Sequence, residues 1–355
     1  MKKFLFFAAA ASVALVSCVN DETMEMAPVA KKVSFDTPVF NTQTRAEVTG
    51  EIDGTTYPTD EKFVVFAKQS EDDLTAWESG SNFWGTDVQS ITVQKEGNGW
   101  EHATNDYYWP KTTDNAWKLS FNAYSPADNG SASVTCTNVG LTITDFVVNS
   151  AVNQQVDLMY SGPILNRTEE QDGTNGVQVV FKHALSSVVF AAVENDDAAE
   201  YEINTIKVYG LSYDKGTFCE NLTNGITAGT PSWESRAKNG TEVSYSPAVL
   251  TAAVPVATAT EITNGTSAIL AIPQALTADA KVEINYTVTP TNGVARTYTK
   301  TIKLTDFTKT DDTQILSWDM ATRYTYVIKF KGTQKIFFVP EVTDWTNADA
   351  VYYVI

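Results

Sequence analysis

The chain has little of what catalytic and metal sites need. Its 355 residues include only three cysteines and two histidines, His102 and His183. No H-E-x-x-H, G-x-S-x-G or glycine-rich phosphate loop occurs. Cys136 and Cys219 do not have the spacing of zinc ligands. We therefore assign no catalytic residue, no metal ligand and no cofactor, and we predict that the protein is not an enzyme.

Positive charge is also scarce. Lysine and arginine total 25 against 43 aspartates and glutamates, which gives a formal net charge of −18. An acidic surface repels phosphate backbones, so nucleic acid is excluded as a partner. Cys136 and Cys219 lie far apart in the sequence, and we expect two buried free thiols in a fold that does not depend on disulfides.

Long apolar runs are missing except at the amino terminus. Lys2 and Lys3 precede residues 4–16, an apolar run interrupted only by Ser12. This run is too short to span a membrane and is typical of a secretory signal peptide, which we place at residues 1–17.

The residues after the apolar run carry a second targeting feature. Leu15, Val16, Ser17 and Cys18 resemble the lipobox of bacterial lipoproteins, which implies lipidation of Cys18 and attachment to the outer membrane. The acidic pair that follows, Asp21 and Glu22, resembles the tag that exports such lipoproteins to the cell surface.

The rest of the chain lacks sustained helical periodicity. Short runs rich in Val, Ile, Thr, Phe and Tyr alternate with Gly, Asn, Asp and Pro, a pattern typical of strands and turns; examples are residues 62–67, 90–93, 118–124, 177–181, 282–288, 296–304 and 324–330. Short helices are expected only around residues 72–77 and 152–157. The pattern predicts an all-β protein of two β-sandwich domains in tandem with few short helices.

A polar, glycine-containing run at residues 167–176 is the expected boundary between the two domains, because strong strand patterns resume directly after it. We place the N-terminal β-sandwich at residues 46–172 and the C-terminal β-sandwich at residues 173–355.

Several motifs in order resemble the fimbrillin and Mfa1-like families of Bacteroidetes. They are Tyr107-Tyr108-Trp109-Pro110, Leu119-Ser120-Phe121-Asn122-Ala123-Tyr124-Ser125-Pro126, Asp157-Leu158-Met159-Tyr160-Ser161, Phe181-Lys182-His183-Ala184-Leu185-Ser186, then Trp318, Tyr324-Thr325-Tyr326 and Val339-Pro340-Glu341-Val342-Thr343-Asp344-Trp345. The resemblance implies transthyretin-like sandwich domains and a type V pilin subunit. Read from the residues alone, the motif aromatics fill a sandwich core, and His183 is a buried histidine with its hydrogen bonds satisfied.

The resemblance also implies how such a subunit assembles. An arginine-specific or trypsin-like protease cuts a lipoprotein precursor in an early linker, here between Arg45 and Ala46, and removes a propeptide, residues 18–45. The strand that leaves would contain Val33, Phe35, Val39 and Phe40. Its departure opens an apolar groove that a strand of another pilin subunit fills by strand exchange.

The expected donor strand is the C-terminal tail, whose last residues are Ala350, Val351, Tyr352, Tyr353, Val354 and Ile355. An apolar terminal strand is unusual at a protein surface, which favours donation over a strand that completes its own domain. The predicted location is the cell outer membrane and a fimbrium, where the protein supports adhesion to a host or bacterial surface ligand.

A different function also fits the composition. A monomeric surface lipoprotein could bind glycans through stacking tryptophans, with Trp77, Trp84, Trp100, Trp109 and Trp117 as candidates. The two hypotheses differ in the tail, because a monomeric glycan binder tolerates its truncation and a pilin that donates a strand does not.

Overall fold

The structure is a computed structural model that describes residues 30–40, 57–110, 117–130, 132–194, 199–249, 253–254, 258–263, 268–307, 313–331 and 335–344. Its regular structure is nearly all β, which confirms the predicted fold class. In these ranges the helical segments are one short α-helix, α1 (Glu169–Asp172), and single 3-10 turns at Trp77–Ser79, Val152–Gln154 and Leu304–Asp306. None of the described helices is long and apolar enough to cross a membrane.

The first half of the chain builds a nine-stranded sheet, here called the first sheet. The strands of this half are β1 (Val39–Phe40), β2 (Phe63–Ser70), β3 (Ser81–Asn82), β4 (Ser90–Glu96), β5 (Gly99–His102), β6 (Lys118–Ser125), β7 (Ser133–Thr137), β8 (Gly140–Val147), β9 (Met159–Tyr160), β10 (Ile164–Arg167) and β11 (Val180–His183). The order in the first sheet is β1-β11-β9-β6-β2-β4-β5, with β10 on β6 and β3 on β2. The pairing of β1 with β11 is parallel.

The second half forms two facing sheets of a sandwich. Its strands are β12 (Ser186–Glu194), β13 (Ala199–Leu211), β14 (Lys215–Cys219), β15 (Ser232–Ala237), β16 (Val243–Tyr245), β17 (Thr260–Glu261), β18 (Ile269–Ala271), β19 (Gln274–Ala275), β20 (Lys281–Pro290), β21 (Arg296–Lys303), β22 (Ser317–Trp318), β23 (Thr322–Lys331) and β24 (Lys335–Asp344). One sheet has the order β17-β12-β23-β24 with β18 on β12, and the other β16-β13-β20-β21. Aromatic rings join them, since Tyr201 and Phe330 have centroids 4.6 Å apart.

A fourth sheet, here called the bridging sheet, combines strands from both predicted domains in the order β15-β14-β8-β7. Strand β11, which lies beyond residue 172, pairs within the first sheet through His183 opposite Met159. The predicted boundary between residues 172 and 173 remains a prediction, and a division after His183 would keep the first sheet whole.

The first sheet separates two apolar cores. On β2, Phe63, Val65 and Ala67 point into the first core, which the first sheet surrounds. Val64 and Phe66 point to the other face and join the second core, which extends through the bridging sheet and the C-terminal sandwich. A strand buried on both faces needs a continuous apolar run, and the sequence of β2 provides one.

The polar run at residues 167–176 contains α1, which the sequence analysis did not anticipate. The side chain of Gln171 accepts a hydrogen bond from the Thr168 amide at 3.1 Å, and the two residues form a capping box. Arg167 binds Asp172 through two guanidinium nitrogens at 2.6 and 2.7 Å. Local hydrogen bonds and an ion pair therefore stabilise the conformation of this segment.

Candidate functional site: an N-terminal segment in an apolar groove

Residues 31–40, here called the N-terminal segment, lie as an extended chain between β5 and β11 of the first sheet. The Phe35 amide donates to the Trp100 carbonyl at 2.9 Å, and the Trp100 amide donates back to Phe35 at 3.1 Å. The Val33 amide donates to the Tyr107 carbonyl at 2.7 Å. These bonds are an antiparallel pairing with β5 and with the chain that follows it.

The other side of the segment pairs in parallel with residues 177–181. The Val177 amide donates to the Ser34 carbonyl at 2.9 Å, and the Asp36 amide donates to the Val177 carbonyl at 3.0 Å. Further along, Val39 lies opposite Val180 and Phe40 opposite Phe181. The segment therefore joins the two ends of the first sheet and satisfies backbone groups that would otherwise be unpaired strand edges.

The segment also fills the first core. Phe35 is only 2% exposed and Val33 7% exposed. The Phe35 ring makes edge contacts with Phe63 and Phe121, at centroid distances of 5.9 and 5.5 Å. Burying such side chains stabilises by about 1.5–3 kcal/mol each. Without the segment, this part of the first core would be an open groove, and the aromatic rings that line it would be exposed to water.

Two features hold the backbone of the segment in place. At the rim, the Lys32 ammonium binds Asp106 at 2.7 Å and Glu101 at 3.3 Å, and these hydrogen bonds raise the pKa of Lys32. On the inner side, Gly176 has φ of 86°. A Cβ at Gly176 would lie 2.6 Å from both the Phe35 carbonyl carbon and the Asp36 nitrogen. Only glycine allows this close approach of the two chains.

The predicted site residues have different positions relative to this groove. Val33, Phe35 and Val39 lie in it, as does the backbone of Phe40. The lipidation residue, the processing site and the donor strand lie outside the described residues; these are Cys18, Arg45, Ala46, Ala350, Val351, Tyr352, Tyr353, Val354 and Ile355. Before the tail, β24 pairs antiparallel with β23 at one end of its sheet.

The motif residues meet in the interior. His183 Nδ1 lies 2.8 Å from Asp157 Oδ2, and both residues are buried, which agrees with the prediction of a buried histidine. Trp318 donates from Nε1 to the Tyr326 hydroxyl at 2.9 Å. The motifs therefore stabilise the fold by contacts between different elements.

The tryptophans proposed as glycan-stacking residues do not form an exposed surface. Trp77, Trp84, Trp100 and Trp109 are 1%, 4%, 0% and 2% exposed. Trp117 is half-buried. Stacking on a sugar needs an open ring face, so these tryptophans fill the core as the first of the two hypotheses predicts.

The two cysteines are free, but they are half-buried rather than fully buried. Cys136 lies opposite Leu141 and Cys219 opposite Thr142, so they occupy strands on either side of β8. Leu141 and Thr142 are adjacent residues with side chains on opposite faces, which places the two thiols on opposite faces of the bridging sheet. Desolvation raises the pKa of both thiols.

One buried carboxyl was not found by sequence reasoning. Glu220 is 1% exposed, and its Oε2 accepts hydrogen bonds from Asn122 Nδ2 at 2.8 Å and from the Leu141 amide at 2.9 Å. It therefore links the first sheet to the bridging sheet, and desolvation raises its pKa. Among the described residues no group of three or more His, Cys, Asp and Glu could hold a metal ion.

Comparisons with known proteins agree with this architecture. A family model described as fimbrillin-like matches residues 41–345. A fimbrial protein from Bacteroides vulgatus is similar in structure, with a TM-score of 0.58 and 20% identity over 88% of this chain and 99% of that chain. A candidate cell adhesion protein from Bacteroides ovatus has a TM-score of 0.51 and 18% identity over 90% and 99%.

A search of curated protein sequences gives no match. The structural neighbours establish the fold, and the family model covers most of the sequence in one continuous match. The chain belongs to the fimbrillin-like family.

Proposed function

We propose that this protein is a structural subunit of a surface fimbria and that it polymerises by exchange of the N-terminal segment for a strand of another subunit. Membership of the fimbrillin-like family supports a pilus or adhesion subunit, and points away from an enzyme. The observation that carries the exchange step is the position of the segment. It occupies an apolar groove and pairs with both ends of the first sheet.

The energetics of the groove favour exchange over simple loss. An empty groove would expose the aromatic neighbours of Phe35 and leave unpaired amides at Trp100 and Val177. Any strand with apolar residues at alternate positions would restore both kinds of interaction. Because the incoming strand belongs to another molecule, each exchange adds one subunit to the polymer.

The processing steps belong to the same proposal. Lipidation at Cys18 would hold the precursor at the outer membrane, and cleavage between Arg45 and Ala46 would cut the connection between the segment and the rest of the subunit. The segment would then be held only by the non-covalent contacts described above. The incoming strand would come from the apolar tail at residues 350–355.

The experiment compares the wild-type chain with Arg45→Ala before and after an arginine-specific protease. SDS-resistant ladders and filaments in negative stain should appear with the wild-type chain and be absent with the variant. Arg236→Ala is the matched control, because Arg236 is exposed on β15 in the bridging sheet. Its ladders should match those of the wild type. A cleaved wild-type chain that stays monomeric would refute polymerisation by exchange.

A further inference from the structure

A buried carboxyl and a buried amide join the first sheet to the bridging sheet. Glu220, which directly follows β14, is 1% exposed, and Asn122 on β6 is fully buried. Glu220 Oε2 accepts hydrogen bonds from Asn122 Nδ2 at 2.8 Å and from the Leu141 amide at 2.9 Å. Both bonds use the same oxygen of the carboxyl group, and together they hold β6 against β8.

One oxygen of each side chain has no hydrogen-bond partner among the described residues. These atoms are Glu220 Oε1 and Asn122 Oδ1, and both are inaccessible to solvent. Buried polar oxygens are almost always hydrogen-bonded, because an unpaired one loses its bonds to water without replacement. When the carboxyl is ionised, both atoms are acceptors and neither can satisfy the other. A proton on Oε1 makes that oxygen the donor that Oδ1 lacks.

The backbone around the carboxyl shows which way Oε1 faces. A Cβ at Gly162 would lie 3.6 Å from Glu220 Oε1, so this oxygen lies beside the turn between β9 and β10. Both of these strands pair with β6, which carries Asn122. On the other side, a Cβ at Gly140 would lie 2.5 Å from Oε2. The unpaired Oε1 therefore faces the first sheet, where the unpaired Oδ1 also lies.

The surroundings of Glu220 offer little to stabilise a negative charge. The titratable groups that act on it are Tyr160 on β9, Cys136 on β7 and Lys182 on β11. Desolvation raises the pKa of Tyr160 and of Cys136, so both are uncharged near neutral pH. The Lys182 ammonium lies 5.9 Å from the centre of the Tyr160 ring. No ion pair with Glu220 is present in the part of the chain that the structure describes.

We propose that Glu220 is a neutral carboxylic acid in the folded protein and that its Oε1–H group donates to Asn122 Oδ1. The acid and the amide then form a ring of two hydrogen bonds, Nδ2–H to Oε2 and Oε1–H to Oδ1, which satisfies both unpaired oxygens. The proton comes from solvent. When the pH rises and the carboxyl loses this proton, the second bond is lost and a charge remains in a buried junction. Protonation of one side chain therefore sets the strength of the contact between the first sheet and the bridging sheet.

The first test is a ¹³C NMR titration of the full uncleaved chain labelled at the glutamate carboxyl carbons. The Glu220 signal is the one that disappears in Glu220→Gln. It should remain that of a protonated carboxyl at about pH 5, above the ordinary glutamate pKa of about 4.3. The signals of exposed glutamates, such as Glu234 on β15, are the reference in the same spectra. A Glu220 signal that titrates together with those of the exposed glutamates would overturn the proposal.

Thermal melts at about pH 5 test the hydrogen bonds themselves. Glu220→Gln supplies an amide that can donate to Asn122 Oδ1 in place of the acid, so its melting temperature should stay within about 2 °C of the wild type. Glu220→Leu removes the acceptor for Asn122 and the Leu141 amide, and should lower the melting temperature by more than this. The matched control, Glu234→Gln, should melt with the wild type. Equal melting temperatures for Glu220→Gln and Glu220→Leu would overturn the proposal, because the hydrogen bond to Asn122 would then contribute nothing. Neither measurement involves cleavage or polymerisation, so both are independent of strand exchange.

Discussion

Replacing Phe35 by alanine should loosen the N-terminal segment more than any other single change within it. The side chain is 2% exposed and contacts Phe63 and Phe121 edge-on. Truncation of a buried phenylalanine costs about 3–5 kcal/mol of stability. Each aromatic pair contributes about 0.5–1.5 kcal/mol. The equilibrium for release of the segment should therefore shift by roughly two to three and a half orders of magnitude.

Hydrogen exchange at two amides measures this release directly. Trp100 and Val177 both donate their amide hydrogens to the segment, so they exchange when it leaves. Phe35→Ala should accelerate exchange at both amides far more than at amides within the C-terminal sandwich. Phe146→Ala is the matched control, because Phe146 is 1% exposed and lies in the second core. It should destabilise the protein without preferential exchange at Trp100 and Val177.

A specific pattern of exchange would refute the reasoning. If Phe35→Ala and Phe146→Ala accelerated Trp100 and Val177 equally, the segment would open only with global unfolding. The groove would then be an ordinary part of the core, and release of the segment would need the whole subunit to unfold.

Two further changes test the surroundings of the segment and of the buried carboxyl. Gly176→Ala should lower the melting temperature and speed exchange at Val177, because its Cβ would meet the backbone of Phe35; Gly130→Ala, with φ of 69° and no atom within 4 Å, should have the smaller effect, and equal effects would contradict the close approach. Burial raises the pKa of Glu220, so its stabilising contribution is present at acidic pH and is lost as pH rises through the folded-state pKa. Glu220→Gln should therefore flatten the fall in melting temperature as the pH rises above the ordinary glutamate pKa of about 4.3, and an unchanged profile would contradict this.

The fold class could be predicted because each strand leaves a local pattern of apolar residues in the sequence. The continuous apolar run of β2 predicts a strand buried on both faces, and the structure places it between two cores. The predicted strand at residues 177–181 is regular only from Val180 onwards. Val177 instead pairs with Phe35 in an isolated bridge. Helix α1 was missed although Thr168 and Gln171 form a capping box that a search for helix starts could have found.

The candidate site could be predicted only in part, because exposure and long-range contact are tertiary properties. Alternation of Val33 and Phe35 was enough to expect a strand in that segment. Nothing in the sequence places Glu220 beside Asn122, which is 98 residues away. The burial of Trp77 likewise follows from the packing of its turn against the bridging sheet, so composition alone could not separate a core tryptophan from a sugar-binding one.

The central claim is that the N-terminal segment must leave the groove before subunits join, and a reversible tether tests it most directly. Lys32 and Tyr108 lie opposite each other, flanked by the bonds from Val33 to Tyr107 and from Trp109 to Lys31. This makes them a non-hydrogen-bonded pair with Cα atoms about 4.5 Å apart, within the range that a disulfide spans.

The double variant Lys32→Cys, Tyr108→Cys is therefore cleaved with an arginine-specific protease under oxidising and under reducing conditions, with the disulfide mapped by peptide mass spectrometry. Strand exchange predicts that the oxidised protein stays monomeric after cleavage and that a reductant restores SDS-resistant ladders. Each single-cysteine variant should polymerise under both conditions. Ladders of equal strength from the oxidised and reduced double variant would contradict the account.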